Sequence, residues 1–152
     1  MLESLIAFVR EFGLVGLFIT SAAGSTIFVP FSAELTFPVL LKVGVSRLWI
    51  LVASVLGSYL GTIVNYVLGE RSMHYALKCI KKTDLEKAHK LMDKYGWFGV
   101  LTLLAAPLPL PVDPVTILCG ATKMNFKEFT AVVIVGKLIK YAIILEILST
   151  IL

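Results

Sequence analysis

The chain has 152 residues, 58% of them hydrophobic and 16% charged, with a mean hydropathy of +0.91 and a formal net charge of +4. A soluble domain carries roughly 25% charged residues, so composition argues against a soluble fold and for one integral membrane domain over residues 1–152. The positive balance is what cytoplasmic Lys and Arg give a membrane protein, and nucleic acid is not expected as a partner.

The chain opens with Glu3, Arg10 and Glu11 rather than a basic start and an apolar run, so no cleaved signal is expected. The first apolar region follows, "GLVGLFITSAAGSTIFVPFSAELTFPVLLKVG", in which Pro30 and Pro38 flank Glu34, the one charge between Glu11 and Lys42. Two readings are open. A plain span from Phe12 to Val29 leaves residues 35–41 as an unexplained apolar loop, whereas a broken hairpin that enters and leaves on one face accounts for them. Residues 48–68 carry no charge and match the ~20 residues that a bilayer-crossing helix needs. Along this span Ala53, Gly57, Gly61, Asn65 and Gly69 recur at every fourth position, a small-residue stripe for close helix packing. Gly57 and Gly61 are packing residues on this reading. Asn65 either cross-links helices or reaches a hairpin tip.

Nearly half of the charges fall between Glu70 and Lys94. Thr83-Asp84-Leu85-Glu86 has the form of a capping box, Leu85, Ala88, Met92 and Tyr95 keep helical spacing, and Gly96 is placed to end the helix. This predicts an amphipathic helix on the membrane surface. His74, His89, Cys79 and Cys119 lack metal-ligand spacing, and no metal or cofactor is expected.

From Gly96 to Ala106 the apolar run is too short to cross, and "APLPLPVDP" then supplies Pro107, Pro109, Pro111 and Pro114 around Asp113. At about 3 kcal/mol per interior proline, one continuous helix is excluded and a second hairpin is expected. Such backbone is tolerated in a membrane only where protein buries it or a wet cavity adjoins it. The last span, 129–148, carries Lys137 and Lys140. Lys137 lies too deep to snorkel and calls for a carboxylate from Glu34 or Asp113, while Lys140 is expected nearer the outer face.

"EFGLVGLFIT" and "YGWFGVLTLL" share aromatic-G-x-x-G and a following apolar run. Each opens a broken segment with one acid, then a glycine (Gly44, Gly120), a basic residue (Arg47, Lys123) and a full span. The expected architecture is all-α: an inverted repeat of re-entrant hairpin plus transmembrane helix, with repeat one over about 11–69, an amphipathic cytoplasmic segment over about 70–94 and repeat two over about 95–148. Excess Lys and Arg in 70–94 and 121–128 place that face inside the cell and both termini outside.

"FVPFSAE", "GSYLGTIVNYVLGE", "PLPVDP" and "MNFKEF" resemble the DedA family, also called the VTT or SNARE-associated Golgi protein family, and more closely its YqaA-like branch. Thr62 stands where many members carry an acid, and Ala106 and Val112 stand near two typical arginines. The resemblance implies two facing hairpins and movement of lipids or lipid phosphates by flipping or scrambling, with or without coupling to protons. Phospholipid and polyprenyl phosphate are the candidate cargoes, and Glu34, Asp113, Lys137, Lys140 and Asn65 the candidate binding residues. Two other classes stay open. One is an assembly or recruiting protein acting through the 70–94 segment, alone or as an oligomer. The other is a membrane enzyme, which is not expected because the acids have no nucleophile, histidine or metal cluster beside them.

Overall fold

The computed structural model describes residues 2–26, 28–29, 32–71, 74, 78, 81–107 and 113–151, and every regular element among them is helical. The major helices are α1 (Leu2–Gly24), α2 (Phe37–Lys42, preceded by a 3-10 turn over Ala33–Thr36), α3 (Arg47–Arg71), α4 (Lys82–Ala105), α5 (Asp113–Ala121) and α6 (Phe126–Ile151).

Two of these helices are bent by the shared glycine motif. Gly13 (φ 56, ψ −127) interrupts α1 and Gly96 (φ 55, ψ −137) interrupts α4. Both lie in a region of backbone space that a Cβ strongly disfavours. The second glycine of each motif serves a different need: a Cβ on Gly16 would come within 3.0 Å of the Phe8 carbonyl oxygen, and one on Gly99 within 2.9 Å of that of Leu91. The first glycine bends the chain and the second lets the bent segment lie back on its own helix. Gly96 therefore closes the amphipathic helix, as expected from sequence, and joins it without a loop to the next apolar arm. The capping box at Thr83 does not form, because α4 begins two residues earlier than that cap requires, at Lys82, and its cap Lys81 makes no side-chain bond.

The returns into α3 and α6 are also alike. Val45 N–H donates to Leu40 O and Gly44 N–H to Leu41 O, both at 3.0 Å. Met124 N–H donates to Cys119 O at 3.0 Å and Lys123 N–H to Gly120 O at 2.9 Å. Both are Schellman endings, with Gly44 (φ 88) and Lys123 (φ 53) in the left-handed position. The sequence comparison had matched Gly44 with Gly120; the turn matches it with Lys123, a lysine that bears about 1–2 kcal/mol of left-handed strain. Asn125 then caps α6, its Oδ1 accepting the Lys127 N–H at 2.9 Å.

Two helices among the described residues are long and apolar enough to cross a membrane, Ile6–Gly24 and Arg47–Arg71. The first contains the Gly13 break, and residues 14–24 alone give only about 16 Å of helix against a hydrocarbon core of about 30 Å. The 26-residue α6 is about 39 Å long. Large apolar side chains face outward, with Leu56, Leu60, Val64 and Val67 exposed on α3, while Ser54, Ser58, Thr62 and Asn65 are buried. That is the reverse of a soluble helix and fits a lipid surround.

α3 and α6 run antiparallel at the centre, α1 packs on α3, and α4 packs on α6. Gly57 lies against the Phe18 carbonyl and Ser21 Cβ, and Gly136 correspondingly against Leu104 Cβ and the Leu101 carbonyl. The glycine stripe of α3 serves two neighbours. A four-residue step advances about 40° around a helix, so Gly57 and Gly61 meet α1 whereas Gly69 has turned towards α5. There the approach is reciprocal, since a Cβ on Gly69 would overlap the Ile117 carbonyl oxygen and one on Gly120 that of Tyr66. The α2–α6 contact uses large side chains instead, Phe37, Leu40, Tyr141 and Leu145, with the Phe37 and Tyr141 rings edge to face at 5.6 Å.

Candidate functional site

Halfway along α3 and α6 the core turns polar. Lys137, only 6% exposed, donates from Nζ to Thr62 Oγ1 at 2.7 Å, to the Ser58 carbonyl at 3.1 Å and to Ser25 Oγ at 3.2 Å. It also bonds Ser58 Oγ, which accepts from the Tyr141 hydroxyl at 3.0 Å and is paired with Ser25 Oγ. Asn65 Nδ2 donates to the Ser25 carbonyl at 3.1 Å and to Thr116 Oγ1 at 3.2 Å. The cluster thus joins Ser25 just past the end of α1, both long helices and α5. A cation at this depth needs such a shell, because moving it out of water without ligands is prohibitive.

One turn along α6, Lys140 Nζ meets Glu34 Oε1 at 2.7 Å, with side chains 15% and 20% exposed. Glu34 sits in the first turn of the 3-10 segment, where a carboxylate is favoured by free N–H groups, and Ser32 Oγ donates to its other oxygen. From sequence, Glu34 or Asp113 was expected to reach Lys137, with Lys140 nearer the outer face. The structure instead brings Glu34 to Lys140. Asp113 opens α5, but its side chain lies outside the described residues.

The prolines divide by role. Pro38 falls in the first turn of α2 and Pro114 in that of α5, where a missing N–H costs nothing, so both start helices rather than break them. Pro107 follows the cap of α4 at Ala106. Pro30, Pro109 and Pro111 lie outside the described residues. Gly57 and Gly61 pack against α1 rather than bind.

Sequence reasoning had not singled out the hydroxyls of Ser25, Ser58, Thr116 and Tyr141. The available signal was Ser58 one residue past Gly57 on a charge-free span, in a chain with a deep lysine to satisfy.

Comparison with known proteins matches the VTT domain to residues 29–150. The uncharacterized protein MJ0201 of Methanocaldococcus jannaschii is 24% identical over 147 residues, covering 94% of this chain and 88% of its own. The inner membrane protein YqaA of Escherichia coli is 26% identical over 133 residues, covering 84% and 85%, and YqaA of Shigella flexneri aligns equally well. No solved structure matches the chain. A match over most of the length, joined to helices that turn apolar faces outward and hydroxyls inward, places this chain in the VTT-domain (DedA) family of membrane proteins.

Proposed function

We propose that the protein moves lipids or lipid phosphates across a cell membrane, with the two broken segments acting as facing re-entrant hairpins of an inverted repeat. The observation that carries this reading is the charged cluster at mid-depth: a buried Lys137 in a hydroxyl shell, with the Glu34–Lys140 pair beside it. Intramembrane charges are expensive and are retained where a polar substrate or ion must pass. Support for the repeat comes from the matched bends at Gly13 and Gly96 and the matched turns at Gly44 and Lys123, and midplane sites at broken helices are the plan of many secondary transporters. Lys137 supplies the cation that a lipid phosphate needs, and the start of α5 adds the partial positive charge of a helix N-terminus.

Reconstitution in liposomes tests the activity. Labelled phospholipid and labelled polyprenyl phosphate, each with and without a proton gradient, are expected to redistribute faster than in protein-free vesicles for at least one lipid. Equal rates for both would refute transport and leave recruitment through the 70–94 segment as the reading. The topology is tested separately: Ser4→Cys and Lys42→Cys are expected to react with an impermeant thiol reagent from the same side. Labelling from opposite sides would refute a first hairpin.

A further inference from the structure

The bend at Gly96 leaves a groove of about 320 Å³ on one face of α4, lined by Leu91, Tyr95, Phe98, Gly99, Thr102 and Leu103 and reaching Ala106 at the helix end. Leu91 and Tyr95 come from before the bend and the others from after it, with Gly99 drawn close to Leu91, so the groove lies in the elbow between the amphipathic half of α4 and its apolar arm. Its lining is mostly hydrocarbon. At its upper end stand two exposed lysines. Lys87 is one turn above Leu91, and Lys94 is beside Tyr95, with its Nζ 5.1 Å from that ring's centroid. Glu86 and Asp93 project about 140° and 160° around the helix from Leu91, away from the groove, and Asp84 lies a further turn out.

We propose that this groove holds one acyl chain of an anionic phospholipid, whose phosphate is bound by Lys87 and Lys94. Apolar lining beneath a cationic rim matches the order of tail and headgroup in such a lipid, and an interfacial helix with Trp and Tyr at its end sets the rim at headgroup level. Trp97 and Tyr95 are both exposed there.

The other bent helix is an internal control. Matched through Gly13 and Gly96, Lys87 corresponds to Ser4, Lys94 to Glu11 and Leu91 to Phe8. The Phe8 and Phe12 rings pack on each other at 4.6 Å, over the corresponding bend. That helix has neither the cationic rim nor the small apolar side chain beneath it, so the lipid site belongs to α4. The proposal depends on insertion in a membrane and not on transport, and a protein that moves no lipid can still pass its test.

The chain has two tryptophans, Trp97 beside the groove and Trp49 at the start of α3. Full-length protein with Trp49→Phe is reconstituted in phosphatidylcholine vesicles containing either brominated phosphatidylglycerol or brominated phosphatidylcholine at equal mole fraction, and quenching of Trp97 is measured. Each lysine near a headgroup favours an anionic lipid about five-fold, so phosphatidylglycerol is expected to associate at least about ten-fold better. With Lys87→Gln and Lys94→Gln combined, the ratio should fall to about one. Thr102 is exposed, and Thr102→Phe should fill the groove and reduce quenching by both lipids. In the companion protein carrying Trp97→Phe, Trp49 should report a ratio near one. A ratio near one at Trp97 would overturn the proposal, as would a ratio that survives loss of both lysines. Unchanged quenching in Thr102→Phe would overturn it too, by showing adsorption of headgroups without occupation of the groove.

Discussion

Gly120→Ala is expected to lower stability by about 3 kcal/mol or more, the upper end of what an overpacked interior costs. For a chain of this size that corresponds to a fall of roughly 10 °C in Tm. The added Cβ would overlap the Tyr66 carbonyl oxygen. That backbone atom cannot move aside without shifting α3, which already holds α1 at Gly57 and Gly61 and the lysine shell at Ser58. Gly69→Ala should behave alike, because its Cβ would overlap Ile117 O. Leu60→Ala, on the exposed face of the same helix, is the control and should change Tm little. Thermal unfolding in detergent decides it: Gly120→Ala with a wild-type Tm would show that α3 and α5 do not cross in backbone contact.

Lys137→Met is expected to fold and to lose at least about tenfold in transport rate, or about 1.4 kcal/mol in barrier. Folding should survive because the hydroxyls have partners without the ammonium: Thr62 Oγ1 donates to Ser58 O at 2.6 Å, and Ser25 pairs with Ser58. Glu34→Gln removes the carboxylate that meets Lys140 and should destabilise, since a poorly solvated charge left without its partner is costly. Adding Lys140→Met restores neutrality and should recover most of that stability. If the pair serves transport, the double variant folds and remains inactive. If transport returns with stability, the pair holds helices together and nothing more. Thermal stability and liposome flux on the same preparations separate the outcomes.

Much of this is legible in the sequence. Apolar runs marked the long helices, and aromatic-G-x-x-G marked the positions of the two bends. What the glycines do there was not legible, because identical letters serve a bend at Gly13 and Gly96 and a close approach at Gly16 and Gly99. That Glu34 pairs with Lys140 was not legible for a similar reason. Lys137 and Lys140 differ by about 4.5 Å in depth but by about 60° around α6, and the rotation of α6 is set by packing on α3 and α4. A helical start at Leu2 was missed because Glu3, Arg10 and Glu11 lack an apolar period.

The interlocking of the halves bears on how the chain is made. Glu34, Ser58 and Thr62 leave the ribosome with the first half, and their cationic partners Lys140 and Lys137 arrive with the last helix. At ordinary elongation of 5–20 residues per second, Glu34 waits roughly 5–20 s for its lysine. During that interval Glu34 has no counter-charge from α6. A chain that stops before residue 126 lacks both lysines of the polar core, so the acid and hydroxyls of its first half are left without the cations that meet them.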